Sequence, residues 1–348
     1  MATRSHSLLI VAVGLFVPVS VPLAQSVDVM INHYGLSIGD SRIVNGIRLN
    51  FRDRNMELVR GINATVWTPH KDAYGGDVFG LALGVPMTGA RRIEGAGIGI
   101  FGASATEDFR GLGIGGFGVG AGREARGIMI GGFGVGAGGD VTGLTIGGFG
   151  AGAGGDIRGI TIGGFGAGSG RDITGFTFGG FGAGAGRDVR GITVGGFGAG
   201  AGGNITGLTI GGFGAGAGSD MRGITIGGIG AGAGGEMRGL TIAGVMAGAP
   251  SVRGVMITGI MAGGHDVRGA ALAPFYFRLN SDDDGDMGTV RGITVSSFNH
   301  VKGEQFGLSI GLLNYAWELN GVQIGLLNYA KNNRPGLRLL PIFNKRWD

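Results

Sequence analysis

Apolar and polar positions in this chain keep a period of sixteen residues. Between Arg158 and Ile173, Ile160 and Ile162 alternate with Thr161, the two-residue period of a strand with one buried face, while Phe165, Ala167 and Ser169 fall on the opposite parity. One unbroken strand would put these sets on opposite faces. The Gly163-Gly164 pair between them bends freely, so the pattern predicts a corner there and two short strands per unit, with both apolar sets facing inward. Gly170-Arg171-Asp172 then closes the unit as a turn.

The same unit is written again and again from Arg110 to about Val252, with Gly127, Gly143, Gly159, Gly175, Gly191, Gly207, Gly223 and Gly239 each sixteen apart. A short fixed period means that one unit cannot bury its apolar face alone and is stabilised by stacked neighbours. Four buried side chains return about 1.5 to 3 kcal/mol each, whereas ordering the backbone costs roughly 1 to 2 kcal/mol per residue, so a lone unit stays unfolded. The expected fold is all-β: a tandem-repeat parallel β-solenoid with about sixteen residues per coil. An antiparallel outer-membrane β-barrel is the runner-up, since sixteen residues also make one spanning strand plus a turn and Leu339, Phe343 and Trp347 share one face near the end. The change of parity inside the unit argues against it.

Four regions follow from the pattern. Residues 1–24 read as an export signal: Arg4, an apolar run from Leu8 to Leu23 broken by Pro18 and Pro22, then Ala24. Residues 25–109 read as degenerate repeats and an N-terminal cap, with charged Arg52, Asp53, Arg54 and Glu57 stopping further stacking. Residues 110–279 are the glycine-rich array, and 280–348 are divergent C-terminal repeats and a cap. Within the last region, Asn280 to Asp286 has the oxygen spacing that opens a calcium loop, but the twelfth position from Asn280 is Arg291, where a closing glutamate belongs, so a solvated acidic turn is expected from Asp282 to Asp286.

Composition narrows the function classes. Of 348 residues 84 are glycine, without the every-third spacing of collagen, and 43% are hydrophobic at fixed places, which excludes a disordered linker. The formal charge of +4 is small and the arginines stand beside acids at the turns, so no nucleic-acid partner is expected. There is no cysteine, hence no disulfide. His33, His70, His265 and His300 fall in unrelated places and the acids recur as turn residues such as Asp140, Asp156, Asp172 and Asp188. No catalytic residue, cofactor or metal site is expected, and the chain does not read as an enzyme.

Towards the C-terminus, Gly307-Leu308-Ser309-Ile310-Gly311-Leu312-Leu313-Asn314-Tyr315-Ala316 is echoed by Gly321-Val322-Gln323-Ile324-Gly325-Leu326-Leu327-Asn328-Tyr329-Ala330. Over Phe306 to Ala330 this resembles the short tandem surface repeat of spirochaete and related bacterial envelope proteins. The resemblance implies an exported, cell-surface or outer-membrane protein, associated with the membrane through the outer membrane, with no established enzymatic activity. From the residues themselves, the candidate contact face is Thr145, Thr161, Thr177, Thr193, Thr209, Thr225 and Thr241, one outward threonine per coil beside bare glycine backbone. Such a flat face suits self-association or adhesion to an envelope component. A regular hydroxyl row also suits ice or another crystal surface, the second alternative.

Overall fold

A computed structural model describes residues 26–70, 75–280 and 286–346. The export segment, residues 1–24, and most of the turn from Asp282 to Asp286 lie outside the described residues. The chain is an all-β, parallel β-solenoid of about sixteen turns, not a barrel. In the array each coil has a long wall, such as the strand Ile157–Gly163, and a short wall, such as Gly166–Ser169. Each pairs in parallel with its counterpart sixteen residues away: Ile157 with Ile173, Thr161 with Thr177, Gly166 with Gly182. The ladder crosses the expected region boundaries without a break, Gly95 pairing with Gly111 and Gly269 with Gly292.

One glycine per coil makes this stacking sterically possible. Gly159 has φ 122°, and a Cβ there would stand 2.3 Å from the carbonyl oxygen of Gly143 in the previous coil. Any side chain would strain the backbone and push two coils apart. That requirement explains the metronomic glycine spacing in the sequence.

The walls face inward with one continuous parity, which corrects the expected parity switch. Ile157, Thr161, Gly163, Ala167 and Ser169 are all buried, whereas Arg158 and Ile160 are exposed. The threonines expected outside, Thr145, Thr161, Thr177, Thr193, Thr209, Thr225 and Thr241, are inside, none more than 6% exposed. The reason lies one turn earlier in the unit. Arg158, Ile160 and Ile162 share a face, so burying the two isoleucines would also bury an arginine in many of the coils. An unpaired buried charge costs several kcal/mol, more than two isoleucines gain once Ile157 is turned out in exchange.

Phe149, Phe165, Phe181, Phe197 and Phe213, expected as a buried ladder, are instead about half exposed at the corner. A Cβ on Gly163 would meet the carbonyl oxygen of Gly166 at 1.9 Å, so backbone already fills the inside of that bend. The phenyl rings have room only outside. The core is consequently thin: a ladder of Val141, Ile157, Ile173, Val189, Ile205, Met221 and Met237, followed by threonine, glycine and alanine.

Both ends are closed by antiparallel strands. At the N-terminus Ser26–Ile31 pairs with Tyr34–Gly39, and at the C-terminus Leu339–Arg346 pairs against Gly321 to Tyr329. Pro341, which has no N–H to donate, lies in that last strand opposite Leu327. Inside the first coils Asp53, read from the sequence as one of the cap's charges, is fully buried: it pairs with buried Arg48, whose Nη2 also reaches Asp40 at 2.6 Å and whose Nη1 donates to Asn63 at 2.8 Å.

Candidate interaction face

The continuous parity that buries the threonines turns the aliphatic residues outward. On the outer face of the long wall, Ile128, Leu144, Ile160, Phe176, Ile192 and Leu208 form one column and Ile130, Ile146, Ile162, Phe178, Val194 and Ile210 a second, all exposed or half-buried. Register brings each residue beside its equivalent, Ile160 next to Phe176 and Ile192 next to Leu208. At the adjoining corner the phenylalanines form a third column. Phe149, Phe165, Phe181 and Phe197 stack with centroids 5.0, 4.9 and 4.7 Å apart and interplanar angles of 3°, 0° and 8°. These rings are locked by backbone, since Phe165 N–H donates to Phe149 C=O at 2.6 Å and Phe181 N–H to Phe165 C=O at 2.6 Å.

The opposite corner is polar and satisfies itself. Each turn carboxylate accepts the backbone N–H one coil on: Asp156 N–H to Asp140 Oδ1 at 2.8 Å, Asp188 N–H to Asp172 Oδ1 at 3.1 Å, Glu236 N–H to Asp220 Oδ1 at 2.9 Å. Arginines hold the remaining oxygens, with Arg158 to Asp156 at 2.7 Å, Arg187 to Asp172 at 2.8 Å and Arg222 to Asp220 at 3.0 Å. The backbone bond from Asp188, then Arg187, keeps Asp172 below its usual carboxylate value, and Asp156 N–H, with Arg171, does the same for Asp140. Beyond this corner the outside of the short wall is glycine backbone, Gly166 and Gly168, as the sequence leads one to expect.

The surface therefore has three parts: a broad apolar face, a neutralised charged edge and a bare glycine side. Where the glycine side ends, Met246, Pro250, Met261, His265 and Arg278 border a shallow groove of about 630 Å³. Its histidine is engaged, Nδ1 with the Asn280 carbonyl at 3.0 Å and Nε2 with Asp286 at 3.5 Å. The histidines lie in separate parts of the stack: His33 in the N-terminal hairpin turn, and His300 far along it, hydrogen-bonded to Tyr276 Oη at 2.9 Å. Among the described residues no group of three or more histidines and acids is placed to hold a metal ion.

With these seven threonines inside, they do not form an outward hydroxyl row. The outward columns replace it as the candidate site. The Arg-x-Ile-x-Ile alternation that sets them was visible in the sequence, for it requires Arg158 and Ile160 to share a face. A second feature missed in the sequence is an interior ladder near the C-terminus. Asn299 Nδ2 donates to Asn314 Oδ1 at 2.7 Å and Asn314 Nδ2 to Asn328 Oδ1 at 2.7 Å, all three buried. The recurring Leu-Leu-Asn-Tyr-Ala was its signal.

No family model, no curated protein and no solved structure matches this chain.

Proposed function

We propose that this chain is a non-enzymatic, exported structural protein of the cell surface or outer membrane, a stiff rod that attaches through the outer face of its long wall. The observation that carries the reading is the pair of continuous apolar columns with the phenylalanine ladder beside them. The two columns run on in register from Ile47 and Leu49 to Leu308 and Ile310, so the face is roughly 75 Å long and 15 Å wide, from about sixteen coils at 4.7–4.9 Å each and five residues of strand at about 3.3 Å. Monomeric soluble proteins seldom expose more than about 300–600 Å² of contiguous apolar surface, and larger patches mark contact sites. The export-like segment, residues 1–24, and the resemblance of Phe306 to Ala330 to an envelope repeat support the address.

Cell fractionation with the intact chain and with Ile160→Lys/Ile192→Lys/Ile224→Lys tests this. The intact chain is expected in the envelope fraction, and the folded triple variant is expected to be released from it. Recovery of the intact chain in the cytosol would overturn the address, and retention of the variant would overturn the face.

A further inference from the structure

We infer that the partner of the apolar face is a second copy of the same chain, packed long wall against long wall. The inference rests on the reading of that wall as the attachment face and names what covers it.

Three observations point to a like partner. First, the face is regular: successive rings from Phe149 to Phe197 are inclined by no more than 8°, and long-wall pairing from Ala125 to Ala243 holds register without a shift. Secondly, its ridges repeat once per coil, and a surface with the same repeat fits ridge into groove along its whole length, as paired sheets of identical strands do. Thirdly, the size is sufficient. A footprint of roughly 1,100 Å² exceeds the ~800 Å² per partner that a stable interface of standard size buries.

Charge argues against the obvious competitor, an anionic membrane surface. Such surfaces attract unpaired basic residues beside an apolar face. Here the arginines on this wall, Arg158, Arg190 and Arg222, lie 2.7, 2.8 and 3.0 Å from Asp156, Asp188 and Asp220 of their own coils. No lysine occurs between Ala125 and Ala243. A two-fold axis lying in the contact plane would use one face per rod, so the assembly closes at two copies.

Sedimentation equilibrium of the full chain at micromolar concentration, with and without phosphatidylcholine–phosphatidylglycerol vesicles, decides the matter. A dimer that Ile160→Lys/Ile192→Lys/Ile224→Lys converts to monomer, with an unchanged circular dichroism spectrum, is the expected result. A wild-type monomer in buffer overturns the inference; if that monomer floats with the vesicles, lipid is the occupant and the attachment face itself stands. An open-ended polymer also overturns it. Should the lysine variant not fold, the absence of native cysteine supplies a second readout. Maleimide labelling of Ile192→Cys is expected to be about tenfold slower than that of Gly166→Cys on the bare side, because access limits thiol reaction. Equal rates overturn the inference.

Discussion

Between Ala125 and Ala243 the inside of the coil holds nothing larger than isoleucine or methionine, and the one buried charge, Asp156, sits at a turn, whereas the first coils enclose Arg48, Asp53 and Asn63 and the last enclose Asn299, Asn314 and Asn328. The middle is specified by geometry alone: a glycine where coils touch, a small residue where walls meet. Since every interface there is interchangeable with the next, nothing in the array fixes where stacking begins or stops. The ends supply that information with polar side chains whose partners exist in only one register. A slip by one coil in the array re-forms the same contacts, while a slip at Arg48 would part its guanidinium from Asn63 of the next coil.

That contrast is broken most severely by Arg48→Ala. Removing the guanidinium leaves the buried Asp53 carboxylate opposite no positive charge, and losing one member of a buried pair costs about 3–5 kcal/mol. Hydrogen exchange is the suitable measurement, because an array unfolds locally. Protection is expected to collapse in the coils from Tyr34 to Thr65 and to persist in the array. Uniform protection along the rod in the variant would show that the polar cluster does not secure the N-terminal end.

Within the array the comparison moves to inside against corner. Ile173 is fully buried and Phe181 is 49% exposed. Ile173→Ala is expected to cost about 2–4 kcal/mol through lost burial and the cavity left behind. Phe181→Ala forfeits two ring stacks, about 1–2 kcal/mol in all. Chemical denaturation of the two variants side by side reads the difference; a phenylalanine more costly than the isoleucine would restore the ladder to the core.

How much of this was legible in the sequence depends on the residue. The coil length and parallel stacking followed from glycines that recur every sixteen positions, since a steric requirement repeated in space must repeat in sequence. The facing did not follow from Ile160 and Ile162, because hydrophobicity alone does not say which of two alternating sets is inside. Arg158 decides it, through the cost of burying a charge. Phe165 was misplaced because an aromatic ring normally goes inward, and only the distance from Gly163 to the Gly166 carbonyl shows that the corner is already full. The Arg48 cluster joins residues from successive coils of unequal length, so no fixed spacing announces it.

A smaller effect separates the charged corner from the ends by pH. Asp172 is held below its usual value of 3.8 by the Asp188 N–H and then Arg187, and Asp140 by the Asp156 N–H and then Arg171. A lowered folded-state value means that the stabilisation is fully present above the unfolded-state value and is lost as pH falls through the folded one. The thermal midpoint is therefore expected to be flat at neutral pH and to drop below about pH 4. Asn204 already stands in this ladder and accepts the Asp220 N–H at 3.2 Å without a titrating group. Asp172→Asn is accordingly expected to keep the backbone bond and reduce the acid sensitivity; an unchanged acid limb would place the titration elsewhere.

The smallest effect tests the same residue type in both regions. Thr177 is 0% exposed and its Oγ1 finds no hydrogen-bond partner among the described residues, and Thr161, Thr193 and Thr209 repeat this in neighbouring coils. Thr294, equally buried in the divergent coils, shares a 2.8 Å hydrogen bond with the Ser309 hydroxyl. Valine keeps the branched shape and removes the hydroxyl, so its effect reports what that oxygen does. Removing a buried, unpaired hydroxyl returns its desolvation cost, and Thr177→Val is expected to be neutral or to stabilise by up to about 1 kcal/mol. Thr294→Val leaves Ser309 without its partner and is expected to destabilise by about 1–2 kcal/mol. Thermal unfolding of the two variants should shift in opposite directions, or the first not at all. If Thr177→Val destabilised as much as Thr294→Val, the array interior would depend on its hydroxyls as the ends depend on their polar groups, and the division between a geometric middle and chemically specified ends would fail.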